Sequence, residues 1–219
     1  MKLVQKRSKK TGLSPGTLVH IGEQRSEAVT IALFNYSGSQ CEELAVMDPN
    51  DLRLPMDETV TWVNISGVHK VDVLETLGKQ FGLHPLLLED LANTDQRPKL
   101  DDYETYVFLV MKMLTRTDRG DTLVEQVSFV IGRNYVLSFQ ENGTDVFRPV
   151  RDRLRAGKGR LRQLGSDYLL YALVDAVVDE YFAVLEALGE KIESLQERVM
   201  AHPNPDTLKD IHGLKRQLL

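Results

Sequence analysis

Glu89 and Asp90 follow directly on Leu86-Leu87-Leu88, inside a stretch that opens at Phe81-Gly82-Leu83-His84-Pro85 and closes at Gln96-Arg97-Pro98-Lys99. Adjacent acids at the edge of an apolar helix have a plain reading, a solvated helix end, and a sharper one, oxygen donors for a divalent cation. A second pair, Asp175 and Asp179, is spaced i, i+4 and therefore lies on one helix face. The same stripe carries Ala172, Ala176, Ala183 and Ala187, and small residues let another element approach closely. Leu169, Leu173, Val178 and Phe182 flank it, so this half of the helix is expected to pack on more than one side. A like-charged pair in such a place is costly unless a cation or hydrogen bonds compensate it. Solvent, or arginines from the segment just before the helix, are the alternative. Glu186, Glu190, Glu193 and Glu197, further along, read as ordinary solvated charges.

None of these four acids has a histidine or cysteine at ligand spacing. The five histidines are scattered and Cys41 is the single cysteine. That argues against zinc and for a hard cation such as Mg²⁺, which keeps several waters and takes only one or two carboxylates. Catalysis is poorly served. Ser66, His69 and Asp72 are close in sequence but lack a nucleophile-elbow context, and Gly157-Lys158-Gly159 lacks the lysine and hydroxyl of a phosphate loop. The chain reads as a non-enzyme.

A net charge of −5 over 219 residues gives the chain as a whole no electrostatic attraction for nucleic acid. No run approaches the ~18 apolar residues needed to cross a bilayer. The basic start, Met1 to Lys10, has no signal-peptide core behind it and reads as part of a flexible arm over residues 1–16. Between Arg148 and Arg162 lie seven basic residues and one acid, Asp152. This is either a solvated face or a surface for an anionic partner such as lipid headgroup, nucleic acid or an acidic neighbouring subunit.

The elements that must position these groups divide the chain at about residue 165. Thr17–Ile21, Ala28–Phe34, Glu43–Met47 and Glu58–Ile65 read as strands, with Trp62 in the core. Lys70–Phe81 repeats its apolar residues at helical spacing, and Gly82 suits the left-handed position that ends it. Pro85 starts the next helix, which must break before Pro98. Tyr106–Leu114 is almost wholly apolar and reads as a central strand buried on both faces. Gln126–Ile131 and Tyr135–Phe139 form a hairpin around Gly132-Arg133-Asn134, and Val146–Arg155 is a short helix. Residues 17–165 are thus an α/β/α sandwich on a mixed sheet. Residues 166–219 form a long antiparallel helical hairpin. Its first helix, Asp167 to Met200, has Ser166 as N-cap and a heptad-like seam: Leu170, Val174, Val177, Tyr181, Leu185, Leu188, Ile192, Leu195 and Val199. Asn204-Pro205-Asp206 caps a second helix, in which Leu208, Ile211, Leu214 and Leu218 continue the seam. It has no stop signal at Gln217-Leu218-Leu219, so the sequence is expected to be a piece of a longer protein.

Several blocks in order, Trp62-Val63-Asn64-Ile65-Ser66-Gly67-Val68-His69, Phe81–Lys99, Tyr106–Met113, Glu125-Gln126-Val127-Ser128, Asp145-Val146-Phe147-Arg148-Pro149-Val150-Arg151 and Asp167-Tyr168-Leu169-Leu170-Tyr171-Ala172-Leu173-Val174-Asp175 through Tyr181-Phe182, resemble the CorA family of divalent-cation transport proteins. The resemblance implies the cytoplasmic domain of a homopentameric magnesium channel or transporter of the inner or plasma membrane. Family members carry a stalk helix and two C-terminal membrane helices joined by a Gly-Met-Asn loop, none of which lies in this sequence. It also implies that acids matching Asp90, with Glu89 and Asp175, hold Mg²⁺, or another ion such as Co²⁺, between protomers and favour the closed state. Asp179 is added on helical geometry alone. A zinc-transporting relative of the same family, and a soluble module binding anionic partners through Arg148–Arg162, are the alternatives.

Overall fold

The computed structural model describes residue 14 and residues 17–52, 58–117, 121–157, 159–201 and 204–218. Apart from residue 14, the expected arm lies outside the described residues. Seven strands form one mixed sheet in the order β2-β1-β3-β7-β6-β5-β4. The strands are β1 (Thr30–Tyr36), β2 (Cys41–Val46), β3 (Val60–Ser66), β4 (Lys99–Asp102), β5 (Tyr106–Arg116), β6 (Thr122–Gly132) and β7 (Tyr135–Gln140). Every neighbouring pair is antiparallel except β3 and β7, which run parallel with Val63 opposite Leu137.

Side chains alternate across the sheet because the strand period is two, and this builds two cores. On one face Ile31, Leu33, Val63, Ile65, Phe108 and Leu137 meet helices α1 (Val71–Phe81) and α2 (Pro85–Ala92). On the other, Phe34, Trp62, Phe129 and Val136 meet α3 (Arg148–Ala156) and the first half of α4 (Ser166–Ala201). Trp62 stacks on Phe34 at 5.0 Å and meets the edge of Phe147 at 6.0 Å. Its Nε1 donates to Ser138 Oγ (2.9 Å), whose hydroxyl donates to Asn64 Oδ1 (2.7 Å), so the polar atoms beside the indole are satisfied in the core. The helical α1–α2 corner is tight: Gly82 closes α1 at φ 61°, and Gly78 lies where a Cβ would collide with Leu88.

Four sequence expectations change. Thr17–Ile21 is extended backbone with a single bridge, Ile21 to Asn93, rather than a sheet strand. β5 is second from the edge, and its burial alternates between full and partial; a continuous apolar run also arises where helices cover both faces near an edge. Ser166 does not cap α4: its Oγ donates to Gly132 O (2.8 Å) and ties the helix start to the β6–β7 turn, while Tyr168 N donates to Asp167 Oδ1 (2.8 Å). The heptad seam holds only in part. α4 buries Leu169, Ala172, Leu173, Val177, Val184 and Ala187, and leaves Leu185 59% exposed, because its first half lies flat on a sheet rather than against one partner helix. α5 (Pro205–Leu218) returns against the far end of α4, with Asn204 capping through Thr207 N (2.9 Å) and Asp210 bonded to Arg198 (2.9 Å). Among the described residues, no helix is long and apolar enough to cross a membrane.

Candidate metal-binding carboxylates

α2 begins at Pro85, where a missing N–H costs nothing, and His84 caps it by accepting from Leu86 N through Nδ1 (3.2 Å). Leu87, Leu88, Leu91 and Ala92 are buried under the sheet. Glu89 and Asp90 fall on the side these leucines leave free, both half-buried. Asp90 is held at both oxygens. Gln96 Nε2 donates to Oδ1 at 2.7 Å and Lys99 Nζ donates to Oδ2 at 2.7 Å. Lys99 also reaches Asp101 Oδ2 at 2.6 Å and lies 5.5 Å from the centre of the Phe108 ring. Burial works against the Lys99 charge, but the hydrogen bonds it donates to Asp101 and Asp90 outweigh it and hold its pKa above the ordinary lysine value. An ammonium seated between two carboxylates shows that this corner attracts and stabilises positive charge.

Lys99, Gln96 and Asp101 were absent from the expected donor set. A signal for two of them was present: in a strand that starts at Lys99, Lys99 and Asp101 share a face, and the tight turn after α2 returns that face to Asp90.

Asp175 and Asp179 are exposed on the outer side of α4. The expectation that their side of the helix is packed does not hold within one chain. Leu173 and Val177 face the sheet, and at ~100° per residue the aspartates lie about a third to nearly half a turn round from them. With them on the open side stand Tyr171 and Phe182, 58% and 59% exposed. α2 and α4 cover opposite faces of the sheet, so the chain does not bring its two acid pairs together. Among the described residues, no group of three or more His, Cys, Asp or Glu side chains is placed to hold a metal. The donors that are present, carboxylate oxygens at a half-open corner, fit a hard divalent ion and lack the nitrogen or sulfur that zinc prefers.

The basic segment is largely used within the fold. Arg155 forms a two-pronged bond to Glu43 (2.7 Å at each nitrogen), Arg151 pairs with Asp145, and Arg162 donates to the Leu154 and Arg155 carbonyls. Glu43 has its pKa lowered by that Arg155 bond.

Residues 57–219 match the family described as CorA-like Mg²⁺ transporter protein. The chain belongs to the CorA family. It is 45% identical over 215 residues to the cobalt/magnesium transport protein CorA of Thermotoga maritima, covering 97% of this chain and 61% of that protein. It is 30% identical over 159 residues to the putative metal ion transporter YfjQ of Bacillus subtilis, covering 72% and 48%. This CorA-family chain thus spans about half to three fifths of the length of these relatives. Its fold is similar to the solved soluble domain of CorA from Methanocaldococcus jannaschii (TM-score 0.63, 18% identity, 85% of this chain and 72% of that one). It is also similar to the complete CorA structure from the same organism (TM-score 0.65, 18% identity, 85% and 56%).

Proposed function

We propose that this chain is the cytoplasmic, ion-sensing part of a CorA-type transporter of Mg²⁺ and related divalent ions such as Co²⁺, assembled as a homopentamer in the membrane. In this reading residues 17–165 form the sensing domain and residues 166–219 the hairpin that links it to the stalk and membrane helices. The observation that carries the reading is the separation of the two acid pairs. Glu89 and Asp90 lie on one layer, Asp175 and Asp179 on the outside of the other, and the described part of one chain assembles no complete donor set. Carboxylates placed this way serve an ion at a contact between copies, where each protomer supplies a fraction of the shell.

A bound divalent ion would neutralise carboxylates that otherwise repel one another across the contact. Asp90 would exchange the Lys99 ammonium for the ion, and Glu89 beside it would add a second oxygen. Asp175 and Asp179, exposed on α4, would present their oxygens from the other side. Such an ion stabilises the assembled closed arrangement only to the extent that it binds that arrangement better than the open one. Transport by the full-length protein, measured against internal Mg²⁺, tests this. Asp90→Asn is expected to raise the Mg²⁺ concentration needed for closure by about tenfold, the effect of ~1.4 kcal/mol. An unchanged inhibition curve in a normally assembled protein removes Asp90 from the site.

A further inference from the structure

Residues 20–25 run along the end of the sheet where β6 and β7 meet the turn that follows α2. Ile21 N donates to Ala92 O (2.9 Å) and Thr94 N donates to Ile21 O (2.9 Å). Gly22, at φ 145°, lies so close that a Cβ there would strike Thr94 Oγ1. Thr94 Oγ1 adds a long bond to Ile21 O (3.4 Å), and Arg25 pins the segment to the sheet. Its Nη1 donates to Val124 O (2.6 Å) and lies 4.0 Å from Glu125 Oε1, while its Nε lies 3.5 Å from Glu141 Oε2.

Glu125 and Glu141 are buried, and a buried carboxylate pair is expensive. Gln126 N donates to Glu141 Oε1 (2.5 Å) and Thr144 Oγ1 to Glu125 Oε2 (2.9 Å), but Glu125 Oε1 has no hydrogen bond among the described residues. Burial pushes both carboxyls above the ordinary glutamate range, against the pull of Arg25 on each. The other charges facing the cluster are Lys112 from β5, whose Nζ donates to Thr94 O (3.0 Å) and attracts Glu141; Asp95, which offsets Lys112; and the exposed Glu23, 3.9 Å from Arg25 Nη2. None of these groups belongs to either acid pair of the candidate ion site.

We propose that Glu125 and Glu141 form a proton-sensitive latch, with Arg25 as its bolt, that holds residues 20–25 against the turn after α2. With both acids ionised, Arg25 has its counter-charge. Once a proton settles on the pair, the guanidinium loses one of its two buried counter-charges and keeps the other, the exposed Glu23 and the Val124 carbonyl. Lifting the segment removes a full positive charge from beside the pair but only part of its cover, since Thr144, Gln126 and the sheet stay in place. The pair therefore binds a proton more tightly when the segment is off, and by linkage protonation favours release. The sheet responds in the opposite sense. An acid whose pKa is higher in the folded than in the unfolded chain adds stability as pH falls through that window, so the outcome is local opening and not unfolding.

The same turn carries Asp90. Gln126 donates from Nε2 to Asn93 O (3.2 Å) and accepts from Gln96 N (3.1 Å), and Gln96 in turn holds Asp90. An effect of the latch on ion binding rests on the reading of Asp90 given above; the latch itself does not.

The test is amide hydrogen exchange on the full chain between pH 5 and 7.5, with protection corrected for the intrinsic rate. Ile21 and Thr94 report the latch; Val130 and Leu137 report the folded sheet. Protection at Ile21 and Thr94 is expected to fall by up to about tenfold per pH unit, the limit for one linked proton, while Val130 and Leu137 hold. Glu141→Gln, which keeps the shape of the protonated acid, should show low protection at pH 7.5 and no pH dependence, as should Arg25→Gln. His69 lies 3.5 Å from Ser26 and has its pKa lowered by burial and by His20, so His69→Gln serves as the control and should retain the wild-type slope. Four results would overturn the latch: a flat wild-type profile, a slope that persists in Glu141→Gln, a slope abolished by His69→Gln, or loss at Ile21 that parallels Val130.

Discussion

The acids of α2 and those of α4 are alike in residue type and differ in what surrounds them. Asp90 sits on a helix whose underside is fully packed, and both of its oxygens are engaged, by Lys99 and by Gln96. Asp175 and Asp179 sit on a helix packed on one side only, next to two exposed aromatic rings. A carboxylate that carries its own counter-ion is oriented before any ligand arrives, but the ligand must displace that counter-ion. A carboxylate in solvent is free to turn and gains its geometry only from a partner.

The sharpest way to break this contrast is to remove the floor under one pair and not the other. Leu87→Ala empties a site under α2 that excludes water completely, and should cost about 2–5 kcal/mol in denaturant unfolding. Phe182→Ala on the outer side of α4 should stay within about 0.5 kcal/mol. Equal losses would mean that α4 is packed on both sides after all.

Next in size is the counter-ion. Lys99→Met should strengthen Mg²⁺ binding to the assembled protein by on the order of fivefold, the scale of one partly exposed ion pair at about 1 kcal/mol; titration calorimetry reads it directly. Weaker binding would show that Lys99 orients the site and does not compete for it. In the parent protein the clamp should not vary across neutral pH. The Lys99 pKa is raised on folding, so its contribution is complete below the ordinary lysine value of ~10.4 and is lost only as pH rises through the higher folded one.

The smallest effect on the single chain belongs to α4. Asp175→Asn with Asp179→Asn should change its unfolding free energy by less than about 0.5 kcal/mol while weakening Mg²⁺-dependent closure in the full-length transporter. A large loss of chain stability would place these acids in a structural role.

Sequence carried the features that local chemistry decides. Gly82 ending α1, His84-Pro85 opening α2, Trp62 in the core and Asn204 capping α5 all follow from dihedral preferences or side-chain size that a few neighbours suffice to express. What depends on the identity of the packing partner was misread. The spacing in α4 fits a coiled-coil seam, but a sheet is broader than a helix and takes the stripe through Leu169, Ala172 and Leu173 instead. Of the candidate site, the acids of α2 were legible as a helix edge beside a strand start, while the pairing of Asp90 with Lys99 required the turn between them. The link from Arg25 to Glu125 and Glu141 joins residues roughly 100 or more positions apart, and no local pattern announces it.

The single parallel pairing of β3 with β7 has a consequence for synthesis. The first three strands pair among themselves with β1 in the middle, and the last four form a meander. The two join only where Val60–Ser66 meets Tyr135–Gln140, roughly 70 residues later in the chain. At ~5–20 residues per second a ribosome takes several seconds to cover that distance. Throughout that interval β3, among the most apolar strands of the sheet, emerges with one edge unpaired. The nascent chain therefore spends its most aggregation-prone moments waiting for its own central strand, and slowing elongation between residues 67 and 134 should lower the yield of folded protein.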